Sequence, residues 1–336
     1  MSNPWDIKKE DFPVSGLLSD KIKFVLGYAI LAPSTHNSQP WLFKIDSNSC
    51  KIYYDPKLKL PQADPKGRDL YISLGCMAEN IMIASNYFGI FKELKLIFEG
   101  TLAVEIVFRE NGERNSDLEY LLDTIPRRVN VRGVFEDKTL PDDIGIELLS
   151  LNKDQRIRIR FVDDKEKISK IASLTAEGLR MAHGRPIFRQ EMSKWMTSSL
   201  SSRKDGLPGY SLRMPFLLSF IIPVLVKFFD LSLLLAKLNR ISVSSAPLIC
   251  FIESEKSSPE IWFETGRLAE RLMLHLQSKE IMTSIFVASI EIGDLYKKVQ
   301  EVIGNDLIPQ FLFCVGYMNQ IQGHSPRHKV EKKIIA

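Results

Sequence analysis

Ala32-Pro33-Ser34-Thr35-His36-Asn37-Ser38-Gln39-Pro40-Trp41 joins a helical pattern to a strand pattern and packs short polar side chains between two prolines. Each proline fixes its own φ and biases the residue before it toward extended backbone, so the connection is stiff. Ser34, Asn37 and the backbone N–H groups of such a loop suit an acceptor-rich ligand. A connection that only turned the chain would rarely need so many donors. His36 reads as an exposed loop residue, not an acid catalyst.

Outward from this loop, helices and strands alternate. Ile22, Val25, Leu26, Ala29 and Ile30 share one face of a helix over 17–31, and 41–45 and 51–54 read as strands. Residues 69–88 form a long apolar helix closed by Gly89, and 93–98 with 102–108 form a hairpin around Gly100. A second unit begins with a helix at 142–151. It continues with a strand at 156–162, a helix at 165–182, a strand at 248–253, helices at 259–279 and 290–303, and a strand at 311–317. Helices between strands predict an α+β or α/β layer fold with mixed sheets, and we take α+β.

The 336 residues are 45% hydrophobic and 26% charged, a globular balance that disfavours disorder. A net charge of +4 is too slight for nucleic acid but tolerates an anionic ligand. Cys50, Cys76, Cys250 and Cys314 are scattered, with no metal-ligand spacing and no disulfide framework; a cytoplasmic protein without bound metal is expected. The N-terminus Met1–Asp6 has no apolar run, so no signal peptide is read. Residues 214–238 are apolar enough to raise a membrane span, but Pro223, Lys227 and Asp230 interrupt them. A helix pair broken near Pro223 is expected, with no membrane partner. Residues 185–240 read as an insert whose tip, 205–209, contains Gly206, Pro208 and Gly209.

The two long apolar helices match without a gap. Gly75 aligns with Gly266, Ala78 with Ala269, Glu79 with Glu270 and Met82 with Met273, at a constant offset of 191 positions. Convergence of two amphipathic helices would give this, and so would a duplicated unit. In a duplication, the small residues would let the helices pack closely about a pseudo-twofold axis.

Arg127-Arg128-Val129-Asn130-Val131-Arg132 precedes Phe135 and the 142–151 helix. With this second stretch in view, the 32–41 loop resembles the conserved loop of the nitroreductase (FMN oxidoreductase) superfamily, and the arginine stretch resembles that family's opening segment. Val129 stands where a serine is usual, and one extra residue precedes Phe135. The resemblance implies that Arg128 and Arg132 hold FMN, one at the phosphate and one at the flavin's pyrimidine edge. Arginine donates two parallel bonds to a phosphate, and a cation near flavin N1 favours the reduced ring. Carried onto this chain, it implies a cofactor site of Pro33, Ser34, Asn37 and Gln39 with Arg127, Arg128, Asn130 and Arg132. Ser284 and Ile285, beside Thr283, would approach the ring by family position. Arg327 is a candidate phosphate ligand, or else part of a solvated basic tail.

Each half keeps what the other lacks. Residues 1–112 hold the donor loop and no arginine stretch, whereas 113–336 hold the arginines. Ile22 to Phe43 spans 21 positions and Ile144 to Phe161 only 17, so the second loop is trimmed. The pattern resembles the fused, Acg-type subgroup and implies an intramolecular pseudodimer, monomeric, with one FMN site, one degenerate site and a helical lid-like insert. The implied activity passes hydride from NAD(P)H through FMN to a nitroaromatic, quinone or similar acceptor, and no catalytic side chain is required. The insert, with Phe216, Phe220, Phe228 and Phe229 as candidate lining, would gate the flavin, restrict its substrates or block nicotinamide. Two readings stay open: a flavin-sequestering or sensor protein, and an oxidase-type enzyme with one specialised substrate.

Overall fold

A computed structural model describes residues 3–336; Met1 and Ser2, where the N-terminal reading begins, lie outside it. In chain order the first region comprises α1 (Leu18–Ala29), β1 (Trp41–Ile45), β2 (Ser49–Tyr54), α2 (Arg68–Tyr87), β3 (Phe91–Glu99) and β4 (Leu102–Phe108). After the short α3 (Glu119–Thr124) come α4 (Ile144–Leu151), β5 (Ile157–Val162), α5 (Lys165–Gly184) and α6 (Pro186–Trp195). The two-residue strands β6 (Met196–Thr197) and β7 (Leu207–Pro208) precede α7 (Ile222–Phe228) and α8 (Ser232–Ser244). The chain closes with β8 (Leu248–Ser254), α9 (Pro259–Ser278), β9 (Met282–Ile285), α10 (Ala288–Glu291), α11 (Leu295–Ile303) and β10 (Ile308–Gly316).

Two four-stranded sheets result, ordered β1-β2-β4-β3 and β5-β8-β10-β9. Taken strand by strand, these are the same order. Among the described residues every strand pairing within the two sheets is antiparallel, and parallel pairing is confined to the small β6–β7 pair and two isolated bridges, Phe43–Ile334 and Asn130–Thr283, so the expectation of mixed sheets is corrected. Alternation within a strand reports a half-buried face but not the direction of its neighbour, which is why the sequence misled. β8 is buried along its whole length in mid-sheet, whereas edge strand β3 exposes Lys92, Glu93 and Lys95.

The two long helices α2 and α9 form the centre. Pro259 opens α9 and Ser258 caps it, accepting a hydrogen bond from the Ile261 N–H at 3.3 Å. The helices touch backbone to backbone at their glycines. A Cβ on Gly75 would lie 2.0 Å from the Phe263 carbonyl oxygen, and one on Gly266 would lie 2.0 Å from that of Ile72. Phe263 and Ile72 are themselves 191 positions apart, so each contact repeats the other with the helices exchanged. The C-terminal arm crosses to the first sheet: Phe43 N–H donates to the Lys333 carbonyl and Ile335 N–H to that of Phe43, both at 2.8 Å.

The predicted 290–303 helix is two pieces, α10 and α11, parted at Gly293 with φ of 57°. Strand β9 carried no separate strand signal in the sequence. The connection from β5 to the adjacent β8 runs 163–247, wider than the 185–240 insert read from the sequence. Pro223 starts α7 in its first turn, and the break between helices falls instead at 229–231. A first-turn proline leaves no N–H unpaired and starts a helix as readily as an interior one breaks it. Among the described residues, no helix is long and apolar enough to cross a membrane.

Candidate functional site

The loop between α1 and β1 is held in a costly conformation. His36, Asn37 and Gln39 have φ of 53°, 54° and 51°, a region that side-chain-bearing residues avoid at about 1 kcal/mol or more each. Hydrogen bonds offset that cost. Ser34 Oγ accepts from the Gln39 N–H at 2.9 Å, and the Asn37 N–H donates to the Ser34 carbonyl at 2.8 Å. The amide of Asn37 donates to the carbonyls of Gly206 and Pro326, both at 3.0 Å. Gln39 Nε2 donates to the Lys204 carbonyl at 2.6 Å, while its Oε1 accepts from the His328 N–H at 2.9 Å. Two distant segments, 204–206 and 326–328, thus meet on one loop.

Two buried guanidiniums converge behind it. Arg128 donates to the Leu31 carbonyl at 2.9 Å, and Arg327 donates to the same carbonyl at 3.2 Å. Arg327 also donates to Asn37 Oδ1 at 2.6 Å and lies 4.9 Å from the Trp5 ring centroid. One carboxylate faces them: Glu270 on α9, fully buried, whose Oε1 lies 3.2 Å from Arg128 Nε without hydrogen-bond alignment. Burial pushes the Glu270 carboxyl up to about 7, against the pull of Arg128, while burial and then the Arg128 charge lower Arg327 to about 9. The Nε atoms of both arginines are buried without a hydrogen-bond partner. Neutral acceptors (the Leu31 carbonyl for both arginines, and those of Ala32, Ser325 and Pro326 for Arg327) and one weakened acid face two cations, so positive charge is left over at this wall.

The wall borders a cavity of about 330 Å³, within the usual range for small-molecule sites. Pro33, Ser34, Asn37, Arg128, Asn130, Arg132, Ile285 and Arg327 all line it, bringing the two sequence stretches, the second sheet and the C-terminal arm to one place. Three of the expected residues do not. Arg127 is exposed and bonds back to the Asp123 carbonyl at 3.0 Å, Ser284 Oγ donates to the Val131 carbonyl at 2.6 Å, and fully buried Gln39 braces the arm. Arg127 closes the 3-10 turn 125–127 and Arg128 begins the extended stretch after it, so their side chains leave the chain on different sides, one exposed and one buried. Ser284 alternates with Ile285 along β9 in the same way. His36 is also corrected: it lines the cavity, its Nε2 is buried without a partner, and burial drops its imidazole to about 4.

The roof comes from α5 and α6 through Leu179, His183, Phe188 and Met192. Phe216, Phe220, Phe228 and Phe229 take no part and are exposed to solvent. The 205–209 stretch is not a free tip either, since the Gly206 N–H donates to the Asn37 carbonyl at 3.3 Å. Sequence reasoning missed Asp69 and Glu291, which also line the cavity; Arg68 bonds Glu291 at 2.7 Å, and burial pushes that carboxyl well above its usual value. It missed the role of Glu270 too. The available signal was an acid on the apolar face of a helix, which demands a buried cation.

At the place related by the 191-position offset, Glu79 meets Arg267 at 3.2 Å and also Arg271. These arginines occupy the positions of Cys76 and Asn80 in the other helix. There the connection from α4 to β5 is five residues, against eleven from α1 to β1.

No protein-family profile matches the chain. Two Mycobacterium tuberculosis proteins, from strains CDC 1551 / Oshkosh and ATCC 25618 / H37Rv, are 33% identical to it over 66 residues, which is 20% of this chain. Both bear names that make them candidate NAD(P)H nitroreductases. The chain spans about a fifth of the length of these curated relatives, 19% in each. Among solved structures, the FMN and NADPH-dependent nitroreductase NfnB from sphigopyxis sp. strain HMH aligns with 64% of this chain and 98% of its own, at 16% identity and a TM-score of 0.43. An oxidized iodotyrosine deiodinase bound to FMN and 3-iodo-L-tyrosine aligns with 62% of this chain and 95% of its own, at 18% identity and a TM-score of 0.40.

Proposed function

We propose that the chain is an FMN-dependent oxidoreductase of the nitroreductase type, with one flavin between two related halves. The observation that carries this reading is the pair of buried guanidiniums, Arg128 and Arg327, converging with Asn37 on one cavity wall with Glu270 as the one acid paired there. Such a surplus of buried positive charge suits a dianionic phosphate, which arginine takes by paired, charge-assisted bonds. In this reading Arg132, which lines the same cavity, would meet the pyrimidine edge of the ring.

When bound, FMN supplies the redox chemistry, taking two electrons from NAD(P)H and passing them to a nitroaromatic, quinone or similar acceptor. The residues of this chain bind and orient. Ser34, Asn37 and the strained backbone between them, held by the bonds to 204–206 and 326–328, would form a rigid cradle for the cofactor. Leu179, Phe188 and Met192, apolar groups lining the cavity, would exclude water from a bound ring. Glu291, its carboxyl pushed well above the usual value by burial, and neutral His36 both line the cavity and would meet a bound acceptor's polar groups.

The repeated strand order and the reciprocal glycine contacts support a fused pseudodimer. In it, Arg267 and Arg271 pair with Glu79 and fill the related site, leaving one flavin per chain. The roof of α5 and α6 supports a lid, and with it the second reading, a flavin-sequestering protein with little turnover.

Anaerobic addition of NADH or NADPH to the flavin-loaded protein separates these readings. Rapid loss of the flavin absorbance near 450 nm (about the usual band) is the expected result. Bleaching by dithionite but by neither nucleotide would favour sequestration and contradict the reductase.

A further inference from the structure

Half of the large apolar side chains exposed among the described residues, twelve of 24, fall between Phe216 and Ile241, at 45–74% exposure. Every exposed phenylalanine is among them. At roughly 200 Å² of side chain each, the four phenylalanines alone leave on the order of 400 Å² uncovered, as much as the largest apolar patch on an ordinary monomer. Eight aliphatic side chains extend that area. The ridge has a packed inner side, where Ser219, Val226, Ala236 and Val243 are buried, and Asn239 of α8 reaches the cavity. Its outer side faces solvent.

The charges are as uneven as the hydrophobicity. Lys227, Lys237 and Arg240 are exposed and make no ion pair among the described residues. Asp230 is the one acid between 214 and 241, and its carboxylate already accepts the Ser232 N–H at 2.9 Å. Lys227 Nζ lies 5.0 Å from the Phe228 ring, a cation beside the apolar surface.

We propose that the outer face of 216–241 is a peripheral docking surface for an anionic lipid bilayer. Phe216, Phe220, Phe228, Phe229 and the leucines of α8 enter the boundary of the acyl chains, and Lys227, Lys237 and Arg240 meet the headgroup phosphates. Aromatic and leucine side chains beside unpaired cations, with almost no acid, match what that interface requires. A second copy matches it poorly: face to face, two ridges would bring six cations around one apolar contact with a single acid from each copy. α8 has 13 residues and is about 20 Å long, too short to cross the roughly 30 Å hydrocarbon core, so it lies in the plane of the surface. The proposal is independent of the flavin reading, and it revises the expectation that no membrane takes part.

Flotation of the full chain with vesicles tests it, using phosphatidylcholine with roughly a third phosphatidylglycerol against phosphatidylcholine alone. The protein is expected to float with the anionic vesicles and much less with the neutral ones. Phe228→Ser with Phe229→Ser should lower the partition coefficient at least tenfold or so. Lys227→Gln with Lys237→Gln should lower it roughly twentyfold. Circular dichroism and melting temperature check that each variant is folded. If the serine pair unfolds the chain, the exposed lysine pair carries the test. Failure of the wild type to float with either vesicle, or undiminished binding by folded variants, overturns the proposal. So does a lipid-independent dimer that the serine pair converts to monomer.

Discussion

Arg128→Ala should lower FMN affinity by roughly ten- to a hundredfold, the loss expected for a charge-assisted contact worth about 1.5–3 kcal/mol. It should also weaken the fold. Removing Arg128 strands Glu270, which is fully buried and has no hydrogen-bond partner, and breaking a buried pair by deleting one member costs about 3–5 kcal/mol. The carboxyl already stands at about 7 with Arg128 beside it and would climb further without it. A carboxyl raised above its unfolded value stabilises the fold below that value and withdraws the contribution as pH rises through the folded pKa. The Arg128→Ala variant should therefore lose more stability at pH 8 than at pH 5, roughly one unit above and two below that pKa. Adding Glu270→Gln should restore much of the stability without restoring flavin binding. Flavin titration and urea denaturation of the three proteins separate the two roles. Wild-type affinity in Arg128→Ala would remove the phosphate assignment.

Gly75→Ala should destabilise the chain by about 2–4 kcal/mol, although alanine is the better helix former by about 1 kcal/mol. The new Cβ would sit 2.0 Å from the Phe263 carbonyl oxygen and 2.9 Å from the Arg267 nitrogen, and neither backbone atom can swing aside. The central helices would have to separate and loosen contacts along both. Gly266→Ala should behave alike, because its contact with Ile72 is the reciprocal one. Gly184→Ala, with nothing within 4 Å, is the control and should change stability by less than about 0.5 kcal/mol. A Gly75→Ala melting curve coincident with the wild type would mean that the helices do not meet at their glycines.

Periodicity placed most elements, because a buried helix face and a half-buried strand leave a local record. β1, α2, β5 and α9 fall within a residue or two of where the sequence puts them. Strand direction, the β9 strand and the break at Gly293 left no such record, since each depends on a distant partner or a single backbone angle. At the site, the loop and Arg128 were legible as dense polar stretches in apolar surroundings. Which of two adjacent residues faces the cavity was not legible, and Arg127, Gln39 and Ser284 illustrate this: each has the right chemistry and points into the protein or out to solvent. Asp69, Glu291 and the α5–α6 roof reach the cavity only through tertiary packing. The apolar 214–238 run was visible as hydrophobicity, but only the fold reveals that its phenylalanines face outward.

The central claim is a single flavin shared by two unlike halves. Titration of flavin-free protein with FMN, followed by quenching of flavin fluorescence, tests it most directly. Saturation at one FMN per chain is expected, with riboflavin, which lacks the phosphate, binding far more weakly. Saturation at two per chain, or equal affinity for riboflavin, would contradict it.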